Sequence, residues 1–317
     1  MRIFSTSLAL VAGLVALSGL QAQVSEFSAD ELEPIRAQSL HVPYVDEEMR
    51  IRFWDYGGDA ILNTNKHIRL TPDEQSRAGW IWSKTTLPNA AWQIEFEFNI
   101  HGGRGHLYGD GMAVWVTKSR VEPGPVFGSR DRFEGLGIFF DTYKNSASTE
   151  KYFPIITAML GDGKTPYDTA NDGLTQSIGN CEVSYRDNPA KSKARITYFR
   201  KNMLRLEIKY DGAEVWSECF TAHNTKLPKD VFLGFSAHTG EVHDNHDITY
   251  VTTNKILSKP PAGTNPINGP NGSGNFGGPA SSSSAIGWFF KLVLLTLVCG
   301  VAFVGYRTYA QGSSKRF

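Results

Sequence analysis

Asp141, Tyr143 and Asn145 carry oxygen at alternate positions just after the apolar run GIFF at residues 137–140. Polar groups at the end of a buried strand need partners. Such a cluster therefore marks either a turn that satisfies its own backbone or one wall of a ligand site. If the period of two persists past Phe140, the three residues share one face, and their side-chain or backbone oxygens line one side of a pocket. A hard cation fits that chemistry. Calcium takes about six to eight oxygen ligands at about 2.3–2.6 Å, carboxylates among them, and this segment supplies about three. A second carboxylate must then come from another loop. Asp172 in NDG is the candidate, because Gly173 permits the tight turn that aims it inward.

Other polar stretches stand out beside glycines and strand ends: Asp110 in YGDG, and Gly240 and Glu241 in HTGEVHDNHD. Each taken alone is also compatible with ordinary turn chemistry. Glu95 and Glu97 in IEFEF raise a different possibility, since glycoside hydrolysis needs two carboxylates about 5–9.5 Å apart across the sugar bond. The clean alternation around them favours a solvated strand face instead. His243 and His246 lie close to aspartates, a pairing compatible with a transition metal such as zinc but more often structural.

These residues must be positioned by strands. WQIEFEFNI alternates apolar and polar residues, GMAVWV and GLGIFF are short continuous apolar runs, and ARITYF, MLRLEIKY, VFLGFSA and DITYVTT repeat the theme. Helical periodicity is scarce, and Gly and Asn turns recur at short intervals. The pattern predicts an all-β domain over residues 24–257, built as two stacked antiparallel sheets.

The rest of the chain reads as targeting and membrane sequence. Arg2, the apolar run from Leu8 to Leu20 and small residues near Ala22 predict a cleaved signal over 1–22. Residues 258–285 are almost wholly Pro, Gly, Asn and Ser, which predicts an extended tether, with an N-glycosylation acceptor at Asn271. Residues 286–306 predict a transmembrane helix, and Arg307, Lys315 and Arg316 put the tail 307–317 in the cytosol. That is a type I topology with the domain in the secretory lumen or outside the cell. Of three cysteines, Cys299 falls within the predicted span. Cys181 and Cys219 remain to form one disulfide in an oxidising compartment. With 32 basic and 32 acidic residues the formal net charge is zero, which gives no basis for nucleic-acid binding.

The stretches SRAGWIWSK, GDGMAVWVTK, PGPVFGSRDRFEGLGIFFDTYKN, YDTANDG and SAHTGEVHDNHDI, in this order and with this topology, resemble the L-type (legume-like) lectins of the early secretory pathway. The short tether without a coiled coil is similar to the vesicular integral membrane protein subgroup. The resemblance implies a concanavalin-like β-sandwich that binds high-mannose N-glycans with calcium as cofactor, without enzymatic activity. It implies calcium ligands at Asp141, the Tyr143 carbonyl, Asn145 and Asp172, and sugar contacts at Ser76, Asp110, Asn145, Gly240, Glu241 and Val242. It also implies the Cys181–Cys219 disulfide. Two positions depart from the family pattern: Thr169 stands where the family usually has His, and Glu241 where it commonly has Asp. The first removes an imidazole and predicts weakened affinity or the loss of acid-triggered release, with the hydroxyl as replacement partner. An aromatic platform under the sugar is expected from Tyr143 or a nearby Phe. As a cargo receptor such a protein cycles between endoplasmic reticulum and Golgi. The terminal Phe317 resembles an export signal read by coat proteins.

Overall fold

The computed structural model describes residues 27–103, 107–147 and 149–260. In chain order the strands are β1 (Leu32–Pro34), β2 (Trp54–Gly58), β3 (Ile61–Asn63), β4 (His67–Thr71), β5 (Ala78–Thr86), β6 (Trp92–His101), β7 (Gly111–Thr117) and β8 (Glu134–Asp141). There follow β9 (Ile155–Asp162), β10 (Gly179–Glu182), β11 (Ser192–Phe199), β12 (Met203–Lys209), β13 (Ser217–His223), β14 (Phe232–His238) and β15 (Asn245–Ile256). They form two antiparallel sheets. One has eight strands in the order β13, β12, β11, β6, β15, β4, β3, with β1 added on β15. The other has seven in the order β10, β9, β8, β7, β14, β5, β2. Helical structure among the described residues is limited to four single turns of 3₁₀ type.

The two sheets bury a common core. Phe96 and Phe98 of β6 meet Phe140 of β8 and Phe235 of β14 edge-on, with ring centroids 5.0 to 5.8 Å apart. Such pairs add about 0.5–1.5 kcal/mol each beyond their burial. On β6 the core takes Trp92, Ile94, Phe96, Phe98 and Ile100, while Glu95, Glu97 and Asn99 stay half-buried on the outer face.

The seven-stranded sheet differs, and this explains its apolar runs. Leu136, Ile138 and Phe140 of β8 face the shared core. Phe139 faces the other way, into a second cluster with Trp82, Trp115, Phe127, Phe133 and Tyr167. Loop residues on either side of β8 and β9 supply Phe127, Phe133 and Tyr167. A sheet covered on both faces has no solvent side, so its strands lose the polar alternation.

Cys181 on edge strand β10 and Cys219 on edge strand β13 are disulfide-bonded, with Cα atoms 5.3 Å apart, and so tie the rims of the two sheets together. The bond closes a loop with a sequence separation of 38. Replacing both cysteines by alanine should cost about 3–4 kcal/mol of unfolding free energy, measured by urea denaturation.

Among the described residues no helix is long and apolar enough to cross a membrane. The predicted signal 1–22, the span 286–306, the tail 307–317 and Asn271 lie outside the described residues, as does the tether beyond residue 260.

Candidate functional site

The strand alternation ends at Asp141, and a loop takes over. Asp141 Oδ1 accepts the Tyr143 N–H at 3.0 Å, which turns the chain. The expectation of a continued strand with three side chains on one face therefore gives way to a turn. Thr142 is buried, and both its N–H (3.0 Å) and its hydroxyl (3.1 Å) donate to the Asp110 carbonyl. Asp172 reaches the same loop from the opposite side. It sits fully buried at the end of the 3₁₀ turn Thr169–Asn171, in the left-handed conformation at φ 53°. Its Oδ1 accepts the Asn145 N–H at 2.9 Å and its Oδ2 the Ser146 N–H at 3.1 Å. Gly173 follows at φ 68°, and a Cβ there would lie 2.5 Å from the Tyr167 ring. The glycine after Asp172 is required by both conformation and space.

Two carboxylates are thus buried beside each other. Burial first, and the negative charge of Asp172 next, push the Asp141 carboxyl well above the usual carboxylate range, and Asp110 adds to the effect. Burial, then Asp141 and Asp172, likewise push the Tyr167 hydroxyl up. Oxygen donors with surplus negative charge suit a hard divalent cation. Asp141 and Asp172 supply two such carboxylates at the loop that carries Tyr143 and Asn145.

Asp110 lies next to this pair, just before β7, after a cis Gly109–Asp110 peptide. Its N–H donates to the His238 carbonyl at 3.3 Å, and His238 Nδ1 lies 2.9 Å from its Oδ2. Two glycines bring the neighbouring loops onto it. A Cβ at Gly109 would lie 2.8 Å from both Tyr143 Cβ and Val242 Cγ2, and one at Gly240 would lie 3.3 Å from Asp110 Oδ2. Ser76, at φ 55°, donates its N–H to the Gly240 carbonyl at 3.0 Å, and Gln75 Nε2 donates to the Glu241 carbonyl at 3.0 Å.

Between these loops opens a cleft of about 230 Å³, lined by Asp110, Pro125, Val126, Phe127, Asp141, Asn145, Tyr167, Thr169 and His238. Of the expected residues, Asp110, Asp141, Asn145 and Thr169 meet on its walls. Ser76, Gly240, Glu241 and Val242 are not among its lining residues; Gly240 lies against Asp110 and Val242 against Gly109, with Ser76 hydrogen-bonded to the same loop. Tyr143 and Asp172 are held by the same loop without lining the cleft.

Five wall residues lie outside the expected set: Pro125, Val126, Phe127, Tyr167 and His238. Phe127 and Tyr167 are the phenyl-ring residues of the wall, while Phe139 and Phe140, next to the predicted strand end, are fully buried in the cores. Tyr143 is 37% exposed and lies outside the wall. PGPVFGS delivers Phe127: Val126 and Ser129 exchange two backbone hydrogen bonds across a turn with positive φ at both Phe127 (45°) and Gly128 (82°). Trp115 Nε1 donates to Ser236 Oγ, which donates to the Phe127 carbonyl at 2.6 Å. Tyr167 was overlooked because it reads as core. His238 ends a strand directly before the glycine loop, and that position was the available signal. Although position 169 is threonine, the cleft holds an imidazole, supplied by β14.

The other constellations do other work. His243 Nδ1 lies 2.5 Å from Asp73 Oδ1, while His246 is fully buried against Thr71 Oγ1 at 2.7 Å, and burial lowers its pKa to about 3. Among the described residues no group of three His, Cys, Asp or Glu could hold a metal, which removes the zinc reading. Glu95 accepts the Tyr250 hydroxyl at 2.7 Å, and Glu97 pairs with Lys191 and Lys193. Both lie on the outer face of the eight-stranded sheet, away from the cleft.

An L-type lectin-like domain-containing protein of Schizosaccharomyces pombe is 35% identical over 235 residues, 74% of this chain and 75% of the relative. Vesicular integral-membrane protein VIP36 of Homo sapiens is 36% identical over 237 residues, 74% of this chain but 65% of VIP36, just under two thirds of its length. The crystal structure of the VIP36 exoplasmic/lumenal domain in its Ca2+/Man-bound form matches with a TM-score of 0.69 at 34% identity, over 72% of this chain and 93% of that one. That domain is also known in a Ca2+/Man3GlcNAc-bound form. The model of the legume-like lectin family matches residues 33–260. With the sandwich and the buried carboxylate pair in place, the chain belongs to the legume-like lectin family.

Proposed function

We propose that this chain is a calcium-dependent lectin that captures high-mannose N-glycans of secretory glycoproteins and carries them as a cargo receptor. The observation that carries the reading is the buried Asp141–Asp172 pair, joined through one loop to a cleft that Asp110 and Asn145 line. VIP36, with its calcium- and mannose-bound forms, supports it.

Asp141, the Tyr143 carbonyl, Asn145 and Asp172 would hold the ion, whose positive charge lets two adjacent buried carboxylates stay ionised. The rest falls to the chain's own residues. Asp172 fixes the backbone at Asn145 and Ser146 through two hydrogen bonds, so the Asn145 side chain enters the cleft from a loop already ordered. Asp110, tied down by Thr142 and His238, presents a carboxylate to sugar hydroxyls. A hydroxyl both donates and accepts, so a carboxylate and an amide together can orient two neighbouring ones. Ser76, Gly240, Glu241 and Val242 would meet the sugar from the loops beside Asp110, and Thr169 adds a hydroxyl opposite. Order before binding lowers its entropic cost.

Asp110→Asn should weaken mannoside binding about 10- to 150-fold by removing a charge-assisted acceptor. Calcium binding and the melting temperature should stay close to those of the unsubstituted protein. Calorimetric titration of both ligands checks this, and retained sugar affinity would refute the role of Asp110.

The proposal extends to a single-span type I protein moving between endoplasmic reticulum and Golgi, its domain luminal and its tail read by coat proteins. The decisive experiment is glycan-array binding of the full-length chain with and without a calcium chelator. Calcium-dependent binding to high-mannose glycans is expected. No binding in either condition would support a protein-binding ectodomain, and release of free sugar would support a hydrolase.

A further inference from the structure

His238 is a cleft residue with an unspent hydrogen-bonding group. It closes β14 opposite Gly111 of β7, which places its backbone and side chain against Asp110. The Asp110 N–H donates to its carbonyl, and its Nδ1 stands 2.9 Å from Asp110 Oδ2. An ionised carboxylate only accepts, so this short contact assigns the hydrogen to Nδ1. In the neutral imidazole the other nitrogen then carries a lone pair. Among the described residues Nε2 has no protein partner, the side chain is 37% exposed, and the ring forms part of the cleft wall.

We propose that His238 is a sugar-contacting residue of this cleft, accepting a hydroxyl hydrogen at Nε2 while its Nδ1–H fixes which oxygen of Asp110 faces the ligand. The proposal rests on the lectin reading. It adds an acceptor of defined polarity to a wall that also holds the Asp110 and Asp141 carboxylates, the Asn145 amide and the Tyr167 and Thr169 hydroxyls. Carboxylate and imidazole together would receive hydrogens from two hydroxyls of one sugar ring. The selectivity that follows is for hydroxyl position: an analogue lacking the hydroxyl that meets Nε2 leaves that nitrogen without a partner.

The test is calorimetric titration of the full-length chain, with calcium, using methyl α-mannoside and its four monodeoxy analogues. His238→Ala should bind the parent mannoside about 3- to 10-fold more weakly, the loss of one neutral hydrogen bond. It should also lose the unsubstituted protein's discrimination against one particular deoxy analogue. His238→Asn, whose amide keeps a donor near Asp110 without the ring nitrogen, should lose the same discrimination. It covers the case in which the alanine variant folds poorly. The calcium-induced rise in melting temperature should be unchanged in both. If either folded variant ranks the panel as the unsubstituted protein does, the assignment of Nε2 is overturned. If the unsubstituted protein binds no mannoside at all, the lectin reading beneath it fails first.

Discussion

Asp141→Asn should stabilise the protein in chelator and destabilise it, relative to the unsubstituted protein, in calcium. Asp141 is 2% exposed, and burial together with the charge of Asp172 penalises its ionised form. An amide of the same shape can still accept the Tyr143 N–H, yet carries no charge to repel Asp172. Without a cation the change should raise unfolding free energy by on the order of 1 kcal/mol, about 2–4 °C in melting temperature for a domain of this size. With calcium at 100 times its Kd, the unsubstituted protein should gain about 2.7 kcal/mol. The variant should gain almost nothing at the same concentration, because it has lost one of two carboxylate ligands. Its calcium affinity should fall at least 100-fold, more than the roughly 10–100-fold typical of outer-shell losses. Mannoside binding should disappear with it. Melting curves in chelator and in calcium check the crossing, and a variant that melts below the unsubstituted protein in both conditions would exclude the account of two repelling carboxylates bridged by a cation.

Arg186→Ala should cost about 3–5 kcal/mol, the penalty for leaving a buried carboxylate without its cation. Arg186 Nε and Nη2 each lie 2.8 Å from the two oxygens of Asp244, whose side chain is fully buried. Burial already pushes the Asp244 carboxyl up with Arg186 beside it, so removal of the guanidinium leaves that cost uncompensated. The same guanidinium lies over the Tyr108 ring at 3.8 Å. It therefore joins the segment before Asp110 to the segment after Val242, two loops that flank the cleft. Urea unfolding should show the stability loss, and titration should show weaker mannoside binding although Arg186 does not line the cleft. Arg186→Lys should recover only part of either, since lysine cannot span both oxygens.

Much of the fold was legible because its periodicities have local causes. The alternation of WQIEFEFNI survives in β6 because one face of its sheet meets solvent. The runs GMAVWV and GLGIFF are continuous because both faces of theirs are covered. Asp141 and Asp172 were legible as a pair because NDG carries its own turn chemistry. The geometry at Tyr143 and Asn145 was not, since period two gives way as soon as the Asp141 carboxylate captures the Tyr143 N–H. Phe127 and His238 were hidden for another reason. An aromatic in a glycine turn and a histidine at a strand end acquire a role only when strands distant in sequence set them side by side.

The sequence by itself determined the sandwich, the partners for one disulfide and the carboxylates available to a cation, because residue type and spacing act over a few neighbours along the chain. The tertiary structure decided which acids share a burial site, which aromatics line the cleft and where its imidazole comes from. Those depend on the register of β14 against β7 and on loops packed across a sheet, where distance in space bears no relation to distance along the chain.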